Sequence, residues 1–400
     1  MSELVGQFLA NNSGPRNNGE TIVKLTVGRT SFLDALVPAA RIVPGSSPKP
    51  ILLNVLISAE PERTEVLATN LEIGGRFTVD GAQCDVAKQL CLSVRRLVAI
   101  LKIATEDLVT IEVPETTEDA HATVCVGRSK FKLVTAVASK FPDVPAFDAT
   151  AYHLIDAASL RKAIDRTVYA CDVASARYAL NGCLIECEAK GLNFVATDGR
   201  RMAWQCIAAE AVEKHMDRNS DTHIVQHAAL ELVRQILPDA GQAKLALDAN
   251  KCIVRSNGAT ISSRLVEGRF PKWRELLPTT TKTKVASVVL PVAPFTQLLR
   301  QASIMTNDSD DRGVLLTLEI GKLAAHAKAA EVGVSDVELP VSYDGKPIAA
   351  TFMPSYILDM LKSLPQEETV TMDLLDSTSA AVFKTGDAFV YCLMPLTPAR

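Results

Sequence analysis

A pattern in this 400-residue chain returns about every 130 residues. Val66-Leu67-Ala68-Thr69-Asn70 reappears as Phe194-Val195-Ala196-Thr197-Asp198. At the same offset, Leu53-Asn54-Val55-Leu56-Ile57 reappears as Asn181-Gly182-Cys183-Leu184-Ile185. Downstream, Lys130-Phe131-Lys132-Leu133 leads to Phe141-Pro142, and Ser263-Arg264-Leu265 leads to Phe270-Pro271. A third, fainter copy runs from Gly313-Val314-Leu315-Leu316 to Met394-Pro395. The period is far too long for a solenoid unit and matches a whole domain. The expected organisation is therefore a tail over 1–20 and three equivalent domains over 21–146, 147–281 and 282–400.

Within each copy the pattern predicts an amphipathic helix first, then alternating strands with short turns, a second helix and further strands. Helices are expected over 30–41, 93–104, 158–170, 226–237, 292–303 and 354–363, with Ser93 and Pro354-Ser355 as start signals. Period-two alternation marks strands, as in Thr123-Val124-Cys125-Val126 and Thr369-Val370-Thr371-Met372. Linkers are expected at Pro145-Ala146-Phe147-Asp148 and at Pro278-Thr279-Thr280-Thr281-Lys282-Thr283. With 48% hydrophobic and 22% charged residues, several cores can form. No apolar run approaches the roughly 20 residues of a membrane helix, and the start lacks a basic segment followed by an apolar one, so neither a membrane span nor a secretion signal is expected. None of the nine cysteines forms a C-x-x-C pair, and Cys183 and Cys252 sit among apolar neighbours. That usage predicts buried free thiols and a cytoplasmic location.

Charge placement narrows the function more than charge total. A net charge of −4 argues against simple electrostatic binding of nucleic acid. Yet 93–104 carries Arg95, Arg96 and Lys102 with no acid, 158–170 sets Arg161, Lys162 and Arg166 against Asp165, and 292–303 adds Arg300. In the other three segments Asp34 balances Arg41, Glu231 balances Arg234 and Asp359 balances Lys362. Basic helices on an acidic body suit a protein that offers phosphates only its helices.

No catalytic constellation emerges. Asp198-Gly199 lies between strand-like segments and reads as a turn. His223 and His227 have helical metal-ligand spacing, but His223 precedes strand-like Ile224-Val225 while His227 opens the next helix. There is no G-x-x-x-x-G-K-[ST] loop and no G-x-S-x-G elbow. Neither a metal nor any other cofactor is expected.

Four motifs in order then carry a family resemblance. They are Tyr178-Ala179-Leu180-Asn181-Gly182, Val195-Ala196-Thr197-Asp198-Gly199-Arg200-Arg201-Met202-Ala203, Glu267-Gly268-Arg269-Phe270-Pro271 with Leu277-Pro278, and Tyr391-Cys392-Leu393-Met394-Pro395. From about Thr21 to Leu396 the chain resembles the bacterial DNA polymerase III beta subunit, the sliding clamp. The resemblance implies an α+β DNA-clamp fold, each domain packing two helices on curved antiparallel sheets, in a head-to-tail homodimeric ring. It also implies a replication processivity factor that duplex DNA threads without sequence reading, with no enzymatic activity. A sliding tether needs phosphate attraction without base contacts, which would fix a register. Implied partners are the polymerase III alpha subunit, other polymerases and an ATP-dependent clamp loader. Alternatives are a clamp paralogue serving an accessory polymerase, or an enzyme on the same fold.

Carried over by motif, the implied peptide groove comprises Leu180, Thr197, Gly199, Arg201, Met202, Pro271, Glu275, Leu276, Leu393, Met394, Pro395 and Leu396, although Leu180 and Leu393 also read as plain core. The implied DNA-facing set is Lys49, Arg95, Arg96, Lys102, Arg161, Lys162, Arg166, Tyr178 and Arg300. The implied dimer contact joins Ile304-Met305 and the basic strand Arg128-Ser129-Lys130, with Glu331, Asp336 and Glu338 as ionic partners. Three departures bear on the groove. Arg200 stands where the family often has His, Glu275 where well-known relatives carry Arg, and Thr397-Pro398-Ala399-Arg400 extends past the usual end. The N-terminal tail is a fourth difference, with no assigned role.

Overall fold

The computed structural model describes residues 22–114, 121–174, 178–188, 191–213, 223–277, 286–306, 313–329 and 333–396. The expected tail, the Pro278–Thr283 linker and the Thr397–Arg400 extension lie outside them, as does Glu331. The chain divides into two compact units, Met1–Ala146 and Phe147–Arg400.

The repeat is visible in the element order. The first copy runs from strand Ile22–Gly28 into helix α1 (Arg29–Ile42), then strands Asn54–Ala59, Thr64–Thr69, Ile73–Thr78, Gln83–Cys84 and Lys88–Ser93, helix α2 (Val94–Ile103), and strands Leu108–Pro114, His121–Val126 and Ser129–Val134. The second runs from Tyr152–Asp156 into α3 (Ala157–Thr167), then Gly182–Glu188, Gly191–Thr197, Arg201–Ala208, Glu210–Val212 and Ile224–Gln226, α4 (His227–Ile236), and Gln242–Leu247, Lys251–Ser256 and Ala259–Arg264. A single helical turn, α5 (Trp273–Leu276), follows. The third runs from Ala286–Pro291 into α6 (Val292–Ala302), then Val314–Glu319, Lys322–Ala329, Gly333–Pro340 and Ile348–Phe352, α7 (Pro354–Lys362), and Thr369–Leu374, Ala381–Thr385 and Phe389–Leu393.

The six expected long helices all form, with ends displaced by no more than a turn. Two features differ from the sequence reading. A strand, not a helix, opens each copy, and α5 was not anticipated. The helices form because each presents one apolar stripe to a sheet: Val94, Leu97, Ile100 and Leu101 in α2 and Leu160, Ala163, Ile164 and Thr167 in α3 are buried. Asp156 caps α3 by accepting from the Ser159 amide at 2.8 Å, whereas Ser93 makes no side-chain cap bond to α2.

All described strand pairs are antiparallel, and in the second unit an eight-stranded sheet crosses from the second copy into the third. Its order is Ile224–Gln226, Gly182–Glu188, Gly191–Thr197, Arg201–Ala208, Phe389–Leu393, Ala381–Thr385, Thr369–Leu374 and Ala286–Pro291. Arg201 sits opposite Leu393 and Met202 opposite Cys392 across that boundary. No helix among the described residues is long and apolar enough to cross a membrane.

The repeat persists at the level of single hydrogen bonds. In the second copy Thr197 Oγ1 donates to the Arg201 carbonyl and accepts from the Gly199 amide, while Asp198 Oδ1 accepts from the amides of Arg200 and Arg201. In the first copy Thr69 Oγ1 donates to the Ile73 carbonyl and accepts from the Leu71 amide, while Asn70 Oδ1 accepts from Glu72 and Ile73. Both turns need a left-handed third residue. Gly199 supplies it at φ 85°, and Leu71 is forced to φ 79°.

Candidate functional site

The residues of the implied groove collect where the second and third copies share the eight-stranded sheet. Pairing of Arg201–Ala208 with Phe389–Leu393 sets the 197–202 turn beside the chain leaving Leu393. The Met394 amide donates to the Arg200 carbonyl at 2.9 Å, and the Leu396 amide to the Thr351 carbonyl at 2.7 Å. These bonds direct the last described residues across the sheet end. Asp198-Gly199 is a tight turn, as its sequence predicts.

Beneath lies a cluster of buried side chains: Leu184, Val195, Met202, Ile224, Phe270, Trp273, Val382 and Cys392. Trp204 packs on it, its ring stacked on Trp273 with centroids 5.9 Å apart. Leu276 on α5 and Met394 are the solvent-facing apolar members of the implied set, 54% and 48% exposed. Gly199, Pro271 and Glu275 are also exposed, and Pro395 and Leu396 are half-buried. Leu180, Thr197, Met202 and Leu393 are buried, so they shape the floor. The core alternative for Leu180 and Leu393 fits their burial.

Arg201 also turns inward. Its Nε donates to Asp198 at 2.9 Å, Nη1 to Asp359 on α7 at 3.0 Å and Nη2 to the Tyr169 carbonyl at 2.7 Å. The guanidinium lies over the Tyr356 ring at 4.2 Å. Burial opposes its charge, but Tyr391, the bond to Asp359 and the Asp198 carboxylate outweigh that, and its pKa is raised. Burial likewise pushes the Tyr391 phenol up, and its hydroxyl donates to the Tyr356 carbonyl. Arg201 therefore ties the second copy's sheet to the third copy's helix.

Sequence reading missed the support of the other wall. Trp273 Nε1 donates to Glu186 at 3.1 Å, and Arg274 bonds Glu186 and Glu188, fastening α5 to strand Gly182–Glu188. The signal was present: both tryptophans of the chain stand in this cluster. Glu275 does place a carboxylate at the exposed rim, 3.3 Å from Lys272 Nζ.

The implied DNA-facing residues divide. Lys49, Arg95, Arg96, Lys102, Lys162 and Arg300 are exposed. Arg161 is half-buried, bonded to the Leu237 carbonyl and 3.4 Å from Asp239. Arg166 does not face solvent and leaves the DNA-facing set. It is 3% exposed, reaches Gln205 and Glu368 at 3.3 Å each and lies over Phe389. The reason is helical phase, since position 166 falls beside the inward residues Ala163 and Thr167. Tyr178 begins the short turn Tyr178–Leu180, and its side chain lies outside the described residues.

Of the implied dimer residues, Arg128, Lys130 and Ile304 are exposed, Ile304 by 69%, and Met305 is half-buried. Strands Ser129–Val134 and Gly333–Pro340 each end their sheets. Asp336 pairs within its own sheet with His326 at 2.7 Å, and Glu338 with Lys322 at 2.6 Å. No group of three or more potential metal ligands occurs among the described residues. His223 is buried ahead of its strand and His227 opens α4, where burial lowers its pKa.

Known proteins match along nearly the whole chain. Three domains described for the DNA polymerase III beta subunit match residues 23–145 (N-terminal), 154–272 (central) and 274–397 (C-terminal). The beta sliding clamp of Pseudomonas aeruginosa is 30% identical over 93% of this chain and 99% of its own length. That of Pseudomonas putida is 29% identical over the same shares. A crystal structure of the P. aeruginosa subunit superposes with a TM-score of 0.82 at 28% identity, covering 94% of this chain and all of that one. The Bacillus subtilis clamp, 18% identical, shares the fold at a TM-score of 0.85 over 95% of this chain and all of its own. The chain belongs to the DNA polymerase III beta subunit family, the beta sliding clamps.

Proposed function

We propose that the protein works as a homodimeric ring around duplex DNA and tethers polymerases to it, without catalytic activity of its own. The observation that carries this reading is the display of Arg95, Arg96, Lys102, Lys162 and Arg300 on exposed helical positions of equivalent domains in a chain of net charge −4. Such side chains attract phosphates along any sequence, and an otherwise acidic body disfavours binding elsewhere. The outer edges of Ser129–Val134 and Gly333–Pro340, which no strand among the described residues pairs, support head-to-tail closure, because a neighbour's strand would extend both sheets. Domain limits near 146 and 281, a cytoplasmic location and an ATP-dependent loader belong to the same reading.

The exposed Leu276 and Met394 over a buried apolar floor support capture of short peptides from the polymerase III alpha subunit, other polymerases and the loader. Such sites bind weakly one at a time, and a ring with two of them gains by avidity. The test loads the protein with its ATPase loader onto nicked circles. Retention on circles and loss after linearisation is expected. Equal retention on both forms refutes topological tethering. Charge reversal at Arg95, Arg96 and Lys162 shortens retention and flattens its salt dependence.

A further inference from the structure

The three domain copies differ at one sheet edge. In each, an opening strand feeds the first helix: Ile22–Gly28, Tyr152–Asp156 and Ala286–Pro291. In the first copy a short strand covers the outer edge, with Thr26 opposite Gln83. In the second, Glu210–Val212 does so, with Leu154 opposite Glu210. In the third, Ala286–Pro291 ends its sheet, and no strand among the described residues lies outside it.

Hydrogen-bond parity shows which groups are bare. The Val292 amide donates to the Glu368 carbonyl at 3.0 Å, continuing the register that pairs Pro291 with Thr369. Antiparallel ladders alternate inward and outward backbone groups. Val288 and Leu290 therefore bond inward, and the N–H and C=O of Ser287 and Val289 point to the open side. The same reading of Arg29 to Asp107 and of Ala157 to Gly241 makes Thr26 and Leu154 the outward residues in the sister copies. Thr26, Leu154 and Val289 each stand three residues before a helix start, so they are equivalent. The first two meet a strand.

The missing cover has a cause on the same chain. Covering strands come from the connection before each copy's final pre-helix strand, which in the third copy is 341–347. There the Val341 amide donates to the Gly321 carbonyl at 3.0 Å and the Gly321 amide to the Tyr343 carbonyl at 2.9 Å. The Tyr343 hydroxyl closes on the Lys346 carbonyl. The connection is held to the Gly321 turn, and a hollow of about 1000 Å³ is left between it and the opening strand. Ser287, Tyr343, Lys346, Ile348 and Leu375 line it, with Leu375 and Val289 well exposed.

The geometry points to an acceptor edge at Ser287–Val289 for an extended peptide of another protein, which adds as a strand and places an apolar side chain in the hollow. Backbone bonds supply the affinity and the hollow the selectivity. The sister copies show the occupant's form, a polar residue followed by small or apolar ones: Gln83-Cys84 and Glu210-Ala211-Val212. This site is separate from the groove of Leu276 and Met394.

The test uses the intact protein and a fluorescent peptide copying residues 208–213, Ala-Ala-Glu-Ala-Val-Glu. Hydrogen exchange in the free protein is expected to be at least about a hundredfold faster at the Val289 amide than at Leu154, and binding is expected to slow it. Val289→Pro removes an outward N–H while leaving the inward ladder, and is expected to weaken the peptide by about tenfold or more. Val289→Lys, which keeps the backbone, is expected to weaken it through the side chain. Met394→Ala with Leu396→Ala is expected to leave it unchanged, so loss there assigns the peptide to the groove and overturns the proposal. A Val289 amide already protected in the free protein means the edge is covered by this chain or a second copy, and overturns it. Absence of binding at millimolar peptide, or equal binding by Val289→Pro, does the same.

Discussion

Replacing Arg201 separates a residue that holds the groove from one that touches its ligand. Arg201→Met keeps the aliphatic stem and deletes the guanidinium. The head is buried, with 9% side-chain exposure, and joins Asp198, Asp359 and the Tyr169 carbonyl. Breaking a buried ion pair typically costs about 3–5 kcal/mol, because the partner charge stays behind. Here Asp359 keeps Lys362 at 3.2 Å and is about a third exposed, which allows it to rehydrate. The stranded Tyr169 carbonyl and the lost stacking on Tyr356 add about 1–2 kcal/mol. A net loss of about 3 kcal/mol is expected. Urea unfolding followed by tryptophan fluorescence reads it directly, since both tryptophans stand in the cluster beneath the groove. Asp359→Asn alone is expected to cost about 1 kcal/mol, and in the double mutant the two losses should not add. If Arg201→Met costs less than about 1 kcal/mol while a polymerase-tail peptide weakens tenfold or more, Arg201 is a ligand contact and the cross-tie reading fails.

Other substitutions test neighbouring readings. Gly199→Ala should cost about 1 kcal/mol in urea unfolding purely from its φ of 85°, as no atom lies within 4 Å of the added methyl, whereas Leu71→Gly should be neutral or stabilising. Ile304→Ala with Met305→Ala should give monomers by light scattering, because a dimer that covers the exposed Ile304 and the half-buried Met305 would lose about 2–5 kcal/mol for each truncated anchor; a dimer at micromolar concentration removes them from the contact. Glu275→Arg should shift peptide preference toward acidic flanks by about 0.5 kcal/mol, a small effect because Glu275 and its neighbour Lys272 are both well exposed. Titration of acidic- and basic-flanked peptides reads that shift.

What the sequence revealed, and what it hid, follows from how far each signal reaches along the chain. The helices were legible because their apolar stripes are local: Val94, Leu97 and Leu101 announce α2 whatever surrounds it. Arg166 reads as DNA-facing from its charge alone, because charge carries no helical phase. It lies beside Ala163 and Thr167 on the inner side, and its partners Gln205 and Glu368 come from distant strands. The sequence puts Arg201 in the implied groove but carries no sign of its inward turn, since the carboxylate that claims it, Asp359, lies in the next domain copy. The turn at Thr197-Asp198-Gly199 was readable, whereas its twin at Thr69-Asn70-Leu71 shows that the hydrogen-bond pattern outlasts the glycine that makes it easy. That persistence also frames the open edge at Val289. The amide bond that enters the first helix survives in all three copies, at Arg29, Ala157 and Val292, while no described strand covers the edge in the third, so the vacancy is a property of the third domain. The 341–347 connection that could fill it is instead spent on the Gly321 turn. No local periodicity records such a choice, because the competing acceptors lie on different strands and are compared only once the sheet has formed.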